Sequence, residues 1–394
     1  MKAQKIGALM LTGCLGLSSI YAQDKLTYHK DEYNQGDTKV EYIAPNPHEV
    51  VAMKNNAKGN RPKNIILLIG DGMGASQAYA AFMANRAKLN IMNMPFTGFS
   101  KTYSANDDVT DSAAGGTALS SGKKTYNGAL AVAAEGKDTV AVKTILEMAE
   151  EKGMETGLVS SCAVTHATPA SFIAHENSRN YTENIALDFL NTDVDVVIGG
   201  GYKYFTDRKD GKNLVNELEK KGYNVVRGTA DDIANAKGDK LYGFTADKHP
   251  AKSWERDYNL IPTANKALEV LSDADKGFFL MIEGSQIDWG GHANDLKYAV
   301  EEALEFDQVV GNCIKFADDN GGETLIIITA DHETGGLAIK EGDRKNGLVK
   351  ADWTTNEHTG IMVPVYAYGP GAENFTGVME NTAIFDKMKK LLGL

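Results

Sequence analysis

Carboxylates and imidazoles recur in this chain at the ends of apolar runs, in a pattern suited to binding divalent cations. The segment EGSQIDWGGHAND sets Glu283, Asp288 and His292 just after the run GFFLMI. KNIILLIGDGMG delivers Asp71, with Gly72 and Gly74 beside it to let the backbone turn sharply. TLIIITADHETGG delivers Asp331 and His332, NEHTG places His358 before the next apolar run, and VTHATPA places His166 and Thr168 after ETGLVSS. Carboxylate mixed with imidazole fits a hard-to-borderline ion such as zinc. Any one of these segments also reads as a polar loop. Asp71, Asp288, His292, Asp331, His332 and His358 together are enough for two metal ions.

A serine supplies the chemistry such ions would serve. VTDSAAGGTALSSG begins a helix of small residues, with Asp111 as its N-cap and Ser112 in its first turn. There the hydroxyl lies among unpaired N–H groups in the positive field of the helix end, a setting that holds an anion and stabilises an alkoxide.

The elements that must position these residues are legible as an alternation. KNIILLIG, ETGLVSS, VDVVIGG, GFFLMIEG, TLIIITA and MVPVYAYG are short, continuous apolar runs, as expected of parallel strands buried on both faces. DTVAVKTILEMAEEKG, DLKYAVEEALEFDQVVGNCIKFADDN and NTAIFDKMKKLLGL carry apolar residues at helical spacing. The pattern predicts an α/β fold: a three-layer α/β/α sandwich around a large, mostly parallel sheet. Ligands at strand ends then converge, because open α/β sheets gather their chemistry at one edge. The expected organisation is an N-terminal arm over 23–61 and a single catalytic domain over 62–394. Polar segments near 202–262 and 338–356 read as excursions from the main sheet.

With 394 residues, 42% hydrophobic and 24% charged, the composition is that of a soluble globular protein. A net charge of −12 argues against a nucleic-acid partner, since nothing would neutralise a phosphate backbone. An acidic protein acting on anions needs local positive charge, which bound metals supply. At the N-terminus, Lys2 and Lys5 precede an apolar run from Ile6 to Ile20, and Ala22 before Gln23 offers a cleavage point. Residues 1–22 therefore read as a signal peptide, making the protein periplasmic or secreted. Leu11-Thr12-Gly13-Cys14 resembles a lipoprotein box, so the alternative is a lipid anchor at Cys14. No run is long enough for a membrane span. Cys162 and Cys313 remain; they could pair, but both sit in core-like segments and read better as buried free thiols.

These motifs, in this order, resemble the alkaline phosphatase family from about Lys63 to the C-terminus. GDGMG, TDSAAGGTA, HATPA followed by SR, EGSQID with a histidine four residues on, TADH and EHTG carry the resemblance. The DSA serine and the SR arginine narrow it to the monoesterases, away from related sulfatases and phosphodiesterases. The resemblance implies Ser112 as nucleophile and Arg179 as the phosphate grip. It implies one zinc on Asp288, His292 and His358, and a second on Asp71, Asp331 and His332. A third ion, usually magnesium, would take Asp71, Thr168 and Glu283. His166 and Trp289 stand where enterobacterial members carry aspartate and lysine, as in animal and some marine members; the imidazole tilts the third site towards zinc. The implied activity is hydrolysis of small phosphate monoesters with broad specificity and an alkaline optimum, releasing inorganic phosphate and an alcohol. A homodimer is implied by resemblance alone. His29, His48, His175 and His249 read as structural.

Overall fold

The computed structural model describes residues 40–135 and 138–394, so the leader, Cys14 and His29 lie outside the described residues. A ten-stranded sheet forms the middle layer. Its strands in chain order are β1 (Asn64–Gly70), β2 (Phe96–Lys101), β3 (Glu155–Ala163), β4 (Val196–Gly200) and β5 (Asn224–Arg227), then β6 (Leu241–Ala246), β7 (Phe278–Gly284), β8 (Thr324–Thr329), β9 (Val363–Tyr368) and β10 (Gly377–Glu380). Across the sheet the order is β10-β2-β9-β8-β1-β7-β3-β4-β6-β5. Only β9 runs against its neighbours, pairing antiparallel with both β8 and β2. The central strands β1, β7 and β8 are buried at every residue, which is why they read as unbroken apolar runs.

Alternate residues of β1 face two separate cores. Ile66 and Leu68 pack on one side with Val300, Leu304 and Val310 of a 24-residue helix, while Ile65, Leu67 and Ile69 pack on the other with Ala113 and Leu119. Helices thus cover both faces, and the α/β/α sandwich expected from the sequence is the architecture observed. On the first face lie α1 (Ala75–Ala84), α4 (Leu260–Leu271) and α6 (Leu296–Asp319); on the second, α2 (Ser112–Ser121), α3 (Ile145–Glu151) and α7 (Asn381–Leu392). A short helix α5 (Gln286–His292) follows β7 directly and packs on α6.

One expectation needs correction. The 202–262 segment is not an excursion from the main sheet, because β5 and β6 extend the sheet beyond β4 in parallel register. The described part of the N-terminal arm begins with a strand. Glu41–Ile43 pairs with Leu348–Trp353, which itself pairs with Leu337–Asp343 in a three-stranded sheet that accounts for the 338–356 segment. Further along, His48 Nε2 lies 2.7 Å from Asp307 of α6. The same carboxylate accepts from the backbone N–H groups of Asn90 and Ile91, each at 2.9 Å, at no exposure. Asp307→Ala would strand these donors in a dry interior. It should cost about 3 kcal/mol, read as a lower urea midpoint at unchanged slope.

Candidate active site

The proposed ligand segments gather at one end of the sheet: those after β1, β3, β7 and β8 leave it together because these strands are parallel, and the one with His358 leads into the antiparallel β9. Asp71 follows β1, Glu283 ends β7, Asp331 and His332 follow β8, and Thr168 lies in a short turn of helix after β3. Gly72 has φ +72°, and a Cβ there would lie 2.6 Å from the Asp288 Cα, so this turn accepts only glycine. The sequence QIDWGGH makes α5, which places Asp288 and His292 one turn apart on one face.

Around Ser112 the geometry is tight. Ser112 opens α2, and its Oγ lies 3.2 Å from His332 Nε2. That same nitrogen is 3.4 Å from Asp71 Oδ1 and 3.3 Å from Asp331 Oδ2. The tautomer follows from Thr334, whose hydroxyl donates to Asp288. Towards His332 Nδ1, 3.2 Å away, that hydroxyl can therefore only accept. His332 carries its hydrogen on Nδ1 and turns a lone pair on Nε2 towards Ser112 and the two carboxylates. Burial, followed by the neighbouring His358, holds this imidazole well below its usual range.

Asp288, His292 and His358 form a second group. His292 Nδ1 faces the Asn356 carbonyl at 2.7 Å, and His358 Nδ1 faces that of Thr110 at 2.8 Å. Both Nδ1 atoms are thus donors, and their Nε2 atoms lie 3.2 Å apart, each 3.4 Å from Asp288 Oδ1. One proton can satisfy one of these contacts, whereas a cation satisfies all three. Holding each ring through Nδ1 is how proteins present Nε2 to a metal. Burial works to raise Asp288, but the two imidazoles overcome it and hold the carboxyl well below the ordinary range.

The remaining carboxylates behave in the opposite way. Burial and then Asp331 push Asp71 well up; burial and then Asp288 push Asp331 up to about 7; burial pushes Glu283 up to about 7. Asp71 Oδ1, Asp331 Oδ2 and Glu283 Oε1 are buried and accept no hydrogen bond. Dry carboxylate oxygens crowded together are a strongly unfavourable arrangement unless positive charge enters. This donor set fits divalent cations, and Asp71, Asp331 and His332 come within 4.8 Å of one another, as do Asp288, His332 and His358.

Arg179 supplies the fixed positive charge. Its Nη1 donates to Asp111 Oδ2 at 2.9 Å, and its Nη2 lies 3.2 Å from His166 Nε2. Asp111 does more than cap α2: its Oδ1 accepts from the Ala114 and Gly128 N–H groups, both at 3.0 Å. One carboxylate thus ties together the serine's helix, the 128 loop and the arginine. Thr168 Oγ1 lies 3.4 Å from Asp71 Oδ2.

The family model described as alkaline phosphatase matches residues 62–352 and 343–394. The chain belongs to the alkaline phosphatase family. It is 36% identical to alkaline phosphatase 3 of Bacillus subtilis, over 85% of this chain and 90% of that one. It is 33% identical to the alkaline phosphatase of Escherichia coli, over 88% and 89%. The solved alkaline phosphatase of the Antarctic bacterium TAB5 superposes with a TM-score of 0.78 at 40% identity, covering 84% of this chain and 99% of that one. A histidine-to-glutamate variant of that enzyme holds Mg in its M3 site.

Trp289 and His166 meet edge to face, with ring centroids 6.0 Å apart. Beside both stands His249, which the sequence pattern marked only as structural. Its ring lies 5.5 Å from His166 and 5.0 Å from Trp289, both nearly perpendicular. Cys162 is likewise not simply core, since its Sγ lies 3.4 Å from Glu283 Oε2. Cys162 and Cys313 are both free and buried. The C-x-x-x-H spacing from Cys162 to His166 was the available signal for the thiol; His249, in the loop KHPAKSW, offered none. His175 stays structural, bridging Ala131 and Glu147.

Proposed function

We propose that the chain hydrolyses phosphate monoesters through a phosphoserine formed on Ser112. The observation that carries this reading is Ser112 Oγ at a helix N-terminus, 3.2 Å from His332 Nε2, beside two clusters of cation-seeking side chains. In this reading Asp288, His292 and His358 hold one zinc, Asp71, Asp331 and His332 a second, and Asp71, Thr168 and Glu283 a magnesium or a third zinc. When bound, these ions supply the charge that offsets the phosphate dianion, lower the pKa of the serine hydroxyl and of water, and polarise the leaving oxygen. Ser112 Oγ forms the new P–O bond as the ester P–O bond breaks and the alcohol departs. Water then attacks the phosphoserine, restores the serine hydroxyl and releases inorganic phosphate. Backbone N–H groups at the start of α2 face the phosphate oxygens. Arg179 offers its planar fork to two non-bridging oxygens, already aimed by Asp111. None of these contacts is to the alcohol portion, which supports broad specificity, and the ionised forms required support an alkaline optimum.

The metal-loaded protein should cleave a chromogenic phosphate monoester faster than the matched diester or sulfate; the reverse order would overturn the reading. Arg179→Ala should lower kcat/KM for the monoester about 10²-fold, roughly 3 kcal/mol. Arg179→Lys should recover part of the loss, because one ammonium keeps the charge but not the fork.

Export is proposed from the basic and apolar N-terminal run, with the mass of the mature N-terminus separating cleavage after Ala22 from lipidation at Cys14. Among the described residues no helix is long and apolar enough to cross a membrane. A homodimer is proposed on the exposed Phe99 and Val378, paired on neighbouring strands at one edge of the sheet, and sedimentation tests it.

A further inference from the structure

The thiol of Cys162 packs beside Trp289 and Tyr298 and faces the Ala163 carbonyl at 3.3 Å, yet it also meets Glu283 Oε2 at 3.4 Å, a contact that the proposed phosphatase chemistry does not use. Strand β3 runs in register with β7 as far as Ser160 opposite Glu283. Against β4 the register then slips: five residues of β3, from Val159 to Ala163, span three of β4, from Ile198 to Gly200. Such a bulge re-aims side chains at the end of a strand. Here Cys162 turns its Sγ to Glu283 Oε2, and a ligand atom from each of Cys162, His166 and Glu283 falls within 4.8 Å of the others. His166 Nε2 already accepts from Arg179, whereas Glu283, with no exposure, has a buried Oε1 without a hydrogen-bond partner.

The surroundings hold this arrangement still. His249 Nδ1 accepts from the Ala163 N–H at 3.1 Å, which pins the end of the bulge one residue from Cys162. The same ring then packs edge to face on His166 and Trp289, fixing the imidazole beside the thiol. His249 is thus a positioning residue for the thiol.

We infer that Cys162 joins Glu283 as an inner-sphere thiolate ligand of the third metal ion, and that this makes the site zinc-selecting rather than magnesium-selecting. The inference rests on the phosphatase reading only in taking the cluster around Glu283 to be a resident metal site. Binding forms an S–metal bond as the S–H proton leaves to solvent, with no change of oxidation state. Sulfur favours zinc, whereas magnesium demands oxygen and retains water.

The test starts with wild-type protein reconstituted with zinc, whose zinc-edge X-ray absorption should require a sulfur scatterer near 2.3 Å. Replacing zinc by cobalt(II) should give a thiolate-to-cobalt charge-transfer band in wild type and in Cys313→Ser, and none in Cys162→Ser. In mixed zinc and magnesium, Cys162→Ser should lower the zinc preference of the third site by at least about tenfold. Absence of a sulfur scatterer in fully loaded wild type, or a surviving band in Cys162→Ser, would overturn the inference; the wild-type measurement holds even if the variant folds poorly. Monoester hydrolysis by the same preparation keeps the two readings apart. Hydrolysis without a sulfur signal removes only the thiolate, whereas no hydrolysis removes the reading of the site as a phosphatase centre.

Discussion

Ser112→Ala should reduce monoester hydrolysis by roughly 10⁴-fold or more while leaving the fold and the metal content intact. The side chain is small, 1% exposed, and its Oγ meets His332 Nε2 at 3.2 Å. The helix it begins is capped by Asp111, which the substitution does not touch, so the change in stability should stay within about 1 kcal/mol. What disappears is the atom that forms the bond to phosphorus. Acid quenching of wild type during turnover of a labelled monoester should trap label on the protein, and the variant should trap none. Retention of the metals makes the result interpretable, because a loss of zinc would abolish activity whatever the nucleophile. A variant that kept metal-dependent hydrolysis at the wild-type rate would mean that water attacks phosphorus directly, and the phosphoserine route would fall.

Strands with two buried faces announce themselves in this sequence, and strands that lean on neighbours do not. KNIILLIG and TLIIITA are apolar at nearly every position because helices cover both faces, and the residues that follow them must be polar where the sheet meets solvent. The site was legible for this reason: Asp71, Asp331 and His332 sit one to three positions beyond such strands. NVVR and LYGFTA were missed as β5 and β6. The first is only half-buried at the sheet edge, and what makes it a strand is pairing with β6, which in turn pairs with β4. The reversed direction of β9 leaves no local trace at all. DTVAVKTILEMAEEKG reads as helix throughout, yet Asp138–Ala141 pairs with Val132–Glu135 and the helix starts at Ile145. The capping box of Thr144 with Glu147 marks that start, and β-branched Thr139, Val140 and Val142 precede it. Cys162 and His249 escaped because their roles depend on a bulge in β3 and on a loop after β6, two strands away.

Removing the metals should abolish hydrolysis and also change how stability depends on pH, in a direction fixed by the carboxylates. In the metal-free chain Asp331 and Glu283 titrate near 7, and Asp71 is raised as well, by burial first and then by mutual repulsion. In the unfolded chain the same groups titrate near 4. Below about pH 4 both states hold these protons and no penalty exists. Between about 4 and 7 the folded state binds more protons than the unfolded one, so stability falls as pH rises through that window. His292 adds to the same trend. Burial alone would lower it, but Asp288 outweighs burial and raises it, and the stability this gives is lost at higher pH. Asp288, depressed by its two histidines, acts with the opposite sign and below the window; His332, held low by burial, also acts with the opposite sign but alike in both forms, since it is neutral with or without metal. Bound dications remove the penalty, because the ionised carboxylates become ligands. The melting temperatures of zinc-loaded and stripped protein should therefore lie close together near pH 5 and diverge by pH 8. The divergence should be on the order of 3 kcal/mol or more, roughly 4 °C for a chain of this size. Thermal denaturation of both forms across that range checks it. Parallel curves would mean that the carboxylates are already ionised without metal, and that the crowding of Asp71, Asp331 and Glu283 is relieved in some other way.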